Sequence, residues 1–188
     1  MRSLAACLAL VSITAFSAST SDYQSVKRKF QLIETEKVSP GSTVSVTTKE
    51  VNAYVQTEVQ KLAPGSVSEP QVTLGNGIAE GRANIDFLKI RKAQTGEAPG
   101  WLMTQILDGV HPVFVKARVQ SSGGRAQVDV ERVEVDGVGV EGRVLDYLIK
   151  NHVRAYFPKA KVGESFPLAH NIERLDVKPH GVQVVMAK

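Results

Sequence analysis

Residues 125–142 read RAQVDVERVEVDGVGVEG, and the reading of this stretch decides the fold. Gly137, Gly139 and Gly142 spell a literal G-x-G-x-x-G, the spacing of a dinucleotide-binding turn. Such a turn needs a parallel β-α-β unit whose first strand is buried on both faces. The residues before the glycines exclude that. Ala126, Val128 and Val130 alternate with Gln127, Asp129 and Glu131, so one face is apolar and the other meets water, as in an antiparallel sheet. The 46 residues after Gly142 carry hairpin signals and no further β-α units. Gly137 is then the turn that leaves the strand, and Gly142 the N-cap of a following helix.

The pattern extends in both directions. Gly123-Gly124 is a two-residue hairpin turn. Before it, residues 113–121 alternate, with Val113, Val115, Ala117 and Val119 inward. Val133 and Val135 fall out of phase by one with Ala126, Val128 and Val130, which predicts a β-bulge near Glu131-Arg132. The turn sets Arg118 opposite Asp129 and Lys116 opposite Glu131. The acidic row Asp129, Glu131, Glu134 and Asp136 therefore reads as cross-strand ion pairs, not as catalytic carboxylates or a cation site. Upstream, Val72 and Leu74 lead into Gly75-Asn76-Gly77, and the return strand sets Ala79, Gly81, Ala83, Ile85 and Phe87 on one face. Downstream, a short extended piece near Phe166 precedes another hairpin. Leu175 and Val177 lead in, Pro179-His180-Gly181 turns, and Val182, Val184 and Met186 return.

Helical spacing of Tyr23, Val26, Phe30 and Ile33 predicts a helix over residues 22–36. Thr47 and Glu50 form a capping box between the staple residues Val46 and Val51. Val51, Tyr54, Val55, Val59 and Leu62 then make one apolar stripe, and Pro64-Gly65 ends it. About 15 residues give a helix of roughly 22 Å. A loop with Gly96, Pro99 and Gly100 leads to a short apolar helix, WLMTQIL, which reads as a lid or as a fourth core helix. Residues 143–157 predict another amphipathic helix through Val144, Leu145, Leu148, Ile149, Val153 and Tyr156, ended by Pro158. Hairpins in series with helices predict an α+β fold: a curved antiparallel β-sheet packed against long amphipathic helices. A cystatin-like or NTF2-like arrangement is the alternative.

The 188 residues suit one domain. The start, MRSLAACLALVSITAFSAST, has one Arg, an apolar run and small residues, the order of a secretory signal peptide. The expectation is a signal peptide over residues 1–20, a single α+β domain over 21–188, and export to the periplasm or beyond. Leu4-Ala5-Ala6-Cys7 looks like a lipobox, but Cys7 precedes most of the apolar run, so lipoprotein anchoring is not expected. Loss of residues 1–20 removes Arg2 alone among the charges and leaves 22 basic against 19 acidic residues. So small an excess is no nucleic-acid footprint. The dense basic run Lys27-Arg28-Lys29 is a solvated helix face that also suits approach to anionic lipid head groups. His111, His152, His170 and His180 have no metal-ligand spacing, and there is no nucleophile motif. No cofactor, metal or catalytic residue is expected.

What remains is apolar surface. Val51, Tyr54, Val55 and Val59 against Val113, Val115, Val128 and Val130, closed by Leu145, Leu148 and Ile149, would line an elongated groove beside the small row Ala79, Gly81 and Ala83. Such a groove would take an acyl chain. The order of the export signal, VSVTTKEVNAYV, ANIDF, GVHPVFVKARV, ERVEVDGVGV, RVLDYLIKN and LDVKPHGVQVV resembles the YpmS-type and tubular lipid-binding (TULIP-like) families. The resemblance covers roughly residues 40–188. It implies a curved antiparallel sheet around a long helix, with an apolar interior that takes lipid. The function expected is noncatalytic binding of a lipid or other apolar ligand in the bacterial cell envelope. The alternative is an envelope interaction module with a packed core and no ligand.

Overall fold

The computed structural model describes residues 14–96, 107–142, 145 and 163–188. It is an α+β protein built on antiparallel sheets. Helix α1 (Thr14–Glu34) begins upstream of the expected residue 22 and is followed by strand β1 (Thr43–Thr47) and helix α2 (Thr48–Leu62). Thr47 ends the strand and caps the helix, so no loop separates them. Its hydroxyl accepts from the Glu50 N–H at 3.2 Å, and its own N–H donates to the Glu50 carboxylate at 2.8 Å. The expected capping box is therefore present.

Glu50 does more than cap. Its carboxylate also accepts from Lys29 Nζ, 2.7 Å from each oxygen, and from Ser25 Oγ at 2.6 Å, both on α1. Lys29 Nζ donates in addition to the Ser45 carbonyl of β1 at 2.7 Å. Glu50 is only 4% exposed. Burial opposes its ionisation, but the bonds from Lys29, Ser25 and the Thr47 N–H outweigh it and hold the pKa down at about 2. Above this network, Tyr54 of α2 packs edge-on against Phe30 and stacks on Tyr23 of α1.

Strands β2 (Val67–Leu74) and β3 (Ile78–Ile85) follow, then helix α3 (Phe87–Thr95) and strands β4 (His111–Ser122), β5 (Arg125–Val135) and β6 (Val138–Gly139). Strands β7 (Ser165–Pro167), β8 (Ile172–Lys178) and β9 (Gly181–Met186) complete the order. The strands form two antiparallel sheets in place of the single curved one expected. One is β1-β9-β8; the other is β2-β3-β4-β5-β6, with β7 also on β5. The break falls at β8. It ladders with β9, but reaches the second sheet only through isolated bonds. Gly77 N–H donates to the Val177 carbonyl at 3.0 Å, Gly124 N–H to that of Glu173 at 2.8 Å, and the Ser121 hydroxyl bridges the Leu175 backbone.

The small sheet holds one core: Ile33 of α1 packs with Val184 and Met186, with Val38, Val44, Ile172 and Leu175 around them. Helix α2 does not follow the expected course across the inner face of the large sheet. It packs against α1, β1, β9 and the edge strand β2. Asn52 bonds both the N–H (2.7 Å) and the carbonyl (2.8 Å) of Val72, and Gln60 donates to the Val67 carbonyl at 2.8 Å. Two side chains thus supply what a neighbouring strand would, and Pro70 within β2 has no N–H to satisfy.

Each expected hairpin is present. Cα pairing passes from Lys116↔Arg132 to Ala117↔Val130, leaving Glu131 as the extra residue of the predicted bulge. The bulge corrects the expected ion pairs. Arg118 lies opposite Asp129, but its guanidinium meets Glu131 at 2.6 Å; Lys116 now lies opposite Arg132, yet its ammonium still pairs with Glu131 at 3.8 Å as expected. Asp136 and Gly137 both have positive φ (55° and 75°), so the chain folds straight back as β6. Gly142, with φ +57°, lacks the extended backbone of the expected N-cap. Phe87 is the first residue of α3 and not the end of β3. The Asp86 carboxylate caps the Lys89 N–H at 2.9 Å, and left-handed Gly96 stops the helix. Apart from Leu145, the expected helix 143–157 lies outside the described residues, as does the WLMTQIL segment before Leu107.

Two predictions follow from these contacts. Because Glu50 ionises more readily folded than unfolded, its contribution is complete above about pH 4.5 and is lost as pH falls toward about 2. Urea titrations across that range should show the loss, and Glu50→Gln should cost roughly 2 kcal/mol at neutral pH and flatten the acid limb. Asn52→Leu should cost about 1–3 kcal/mol by stranding two backbone groups at the β2 edge. Size-exclusion chromatography should show increased self-association of that variant.

Candidate functional site

The large sheet has one apolar face, and pairing register defines it. The rows Gly81↔Val115↔Val133, Ala83↔Val113↔Val135 and Val119↔Val128 carry small or apolar residues across β3, β4 and β5. Ala79↔Ala117↔Val130 completes them, and Val72 and Leu74 of β2 extend the face past Gly81 and Ala79. The expected groove residues Val113, Val115, Val128 and Val130 therefore share this face, each half-buried. Through its middle runs the small row Ala79, Gly81, Ala83. A Cβ added at Gly81 meets no atom of the described residues within 4 Å, so among them the space above that position is open.

The α2 half of the expected groove lies elsewhere. Val51, Tyr54, Val55 and Val59 are half-buried on the helix, whose neighbours are α1, β1, β2 and β9. Tyr54 faces the Tyr23 and Phe30 rings. Burial and the nearby Glu58 and Glu34 charges raise its pKa above the usual phenol value. Leu145 is half-buried; Leu148 and Ile149 lie outside the described residues. Of the basic run, Lys29 is tied to Glu50 and Ser45, and Lys27 sits 5.9 Å over the Tyr23 ring. Arg28 is exposed.

Along β4 this face has a polar residue at each end, His111 and Ser121, and His111 was legible only as an isolated histidine. His111 opens β4 opposite Ile85, in the same alternation as Val113 and Val115. Its Nδ1 lies 2.7 Å from Asp136 Oδ2, and its ring lies 5.9 Å from that of Phe87. The bond to Asp136 raises its pKa against the opposing effect of burial, with help from the Leu107 and Asp108 carbonyls. Its Nε2 is buried and has no hydrogen-bond partner among the described residues.

The opposite face is polar. A recess of about 420 Å³ there is lined by Glu69, Gln71, Arg82, Asn84, Phe114 and Glu134. Most of its polar groups have partners: Asn84 donates to Glu69 at 3.0 Å, Glu134 pairs with Arg132 beyond the lining, and Arg82 lies 5.3 Å over the Phe114 ring. Among the described residues no group of three or more His, Cys, Asp or Glu could hold a metal ion. No described helix is long and apolar enough to cross a membrane. No protein-family model matches the chain, and no curated protein is significantly similar to it.

Gly81 has no positive φ that would require glycine. Gly81→Ala should leave thermal stability unchanged or raise it by up to about 1 kcal/mol, since it restricts the unfolded chain and fills open space. Differential scanning calorimetry measures this directly; a large loss would mean the space is closed.

Proposed function

We propose that this protein binds a lipid or other apolar chain, without catalysis, in the cell envelope. The observation that carries the reading is the apolar face of β2–β5, with space above Gly81 in its small-residue row that is open among the described residues. A chain that removes about 200 Å² of this face from water gains roughly 5 kcal/mol before the cost of association. The occupied polar clusters elsewhere support a binding role over a catalytic one. Kinship of architecture with the tubular lipid-binding families belongs to the same proposal, supported by the serial antiparallel hairpins and the capped helix α2. The course of α2 along a sheet edge is this chain's own departure. Export through the N-terminal segment places the ligand in the envelope, and Lys27 with Arg28 forms the basic surface for anionic head groups.

The test is native mass spectrometry of the purified protein, with titration of a fluorescent fatty acid. Wild type should carry lipid or take up the probe. Gly81→Phe should weaken uptake by about tenfold or more with thermal stability retained, because the ring occupies the ligand's path. A clean apo mass with no probe uptake would overturn the reading in favour of a packed interaction module.

A further inference from the structure

We propose that Asn76-Gly77 is a covalent modification site, at which Asn76 converts to aspartate and isoaspartate, and that strand β8 is its guard. The inference stands on the turn between β2 and β3 and is independent of the ligand reading above. Asn76 is the chain's only asparagine followed by glycine; Asn52, Asn84 and Asn171 precede Ala53, Ile85 and Ile172. The following residue matters because its backbone nitrogen is the nucleophile, and a residue without Cβ leaves the approach clear. Asn76 is exposed at the tip of the hairpin. With Gly77, Ser121, Asp176 and Lys178 it lines a recess of about 600 Å³ between the two sheets, so water reaches it.

The reaction needs only hydroxide and water. Hydroxide takes the Gly77 amide proton, and the nitrogen attacks Cγ of Asn76. The new N–Cγ bond closes a five-membered succinimide, and the side-chain nitrogen leaves as ammonia. Water then opens the ring. Cleavage at Cγ gives aspartate in an ordinary main chain; cleavage at the Asn76 main-chain carbonyl gives isoaspartate, with Cβ now part of the backbone. In the folded protein the nucleophile is held. The Gly77 N–H donates to the Val177 carbonyl of β8 at 3.0 Å, and the Gly77 carbonyl accepts from the Val119 N–H of β4 at 2.8 Å. A bonded N–H gives up its proton less readily, and a backbone pinned from both sides does not swing onto Cγ. The guard is itself lightly tied to the large sheet. Beyond the Gly77 bond, Glu173 receives the Gly123 and Gly124 N–H groups, and the Ser121 hydroxyl bridges the Leu175 backbone. Local release of β8 therefore frees the nucleophile while the hairpins of the large sheet stay folded. Conversion adds a carboxylate at the tip, and isoaspartate lengthens the main chain there, which displaces Gly77 from Val177.

The experiment incubates the full chain in mildly alkaline buffer and follows Asn76 by peptide mapping with mass spectrometry. Electron-transfer fragmentation separates aspartate from isoaspartate. In guanidinium chloride Asn76 should convert as fast as a free Asn-Gly peptide run in parallel; no conversion there overturns the site. In the native protein conversion should be about tenfold or more slower. Equal native and denatured rates overturn the guard. Ser121→Ala strands the Leu175 N–H and carbonyl, and should raise the native rate several-fold with the circular dichroism spectrum unchanged. An unchanged rate in that variant overturns β8 as the guarding strand. Should Ser121→Ala fold poorly, wild type in guanidinium chloride below its unfolding midpoint takes its place. The rate should rise there ahead of the global transition, and a rise only together with global unfolding overturns local release.

Discussion

The Glu50 carboxylate is shared by three elements. It completes the first turn of α2, receives Lys29 and Ser25 from α1, and through Lys29 reaches the backbone of β1. A charged group this deeply buried is tolerated only when every oxygen is occupied and a counter-charge is fixed beside it. Meeting that condition fixes where α1 crosses α2, and with it which side of α1 turns toward the small sheet. Val26 and Ile33 can then be buried on the same helix that supplies the ammonium. The β8–β9 turn docks on the same corner. The Thr48 N–H donates to the His180 carbonyl, and Gly181 approaches Val46 so closely that an added Cβ would lie 2.2 Å from its carbonyl oxygen.

The course of α2 follows from that corner and determines what the large sheet can do. A helix laid across the valine face would fill it. A helix that instead satisfies the β2 edge through Asn52 and Gln60 leaves the face to other occupants. The same two side chains protect an edge that would otherwise be open to strand addition. A hydrogen-bonding choice at a strand edge therefore has consequences for the chemistry available to the face beside it.

Features set by neighbouring residues were legible in the sequence. The capping box needs only Thr47 and Glu50, the hairpins need only their turn residues, and the Glu131 bulge shows as a one-residue change of phase. Features set by distant residues were not. Nothing local tells Tyr54 to seek α1 or Asn52 to bond Val72, because a stripe of apolar residues does not name its partner. Phe87 fits the alternation of β3 and was claimed by the cap of α3, where Asp86 and Gly96 carried the stronger signal. Of the expected groove, the β4 and β5 residues share a face because alternation and register are short-range facts. The helical half required tertiary knowledge. His111 gained meaning only from the turn that brings Asp136 to it.

The pairing of β1 with β9 joins residues 43–47 to residues 181–185. Until β9 has been synthesised, β1 has no strand partner and Ile33 has neither Val184 nor Met186 to pack on. The closure is long and entropically slow. During synthesis, therefore, the hairpins of the large sheet can form early, while the small sheet must wait. A growing chain would leave the small sheet open until β9 emerges, whereas the bonds around Glu50 join only residues 25–50 and need nothing that is made later.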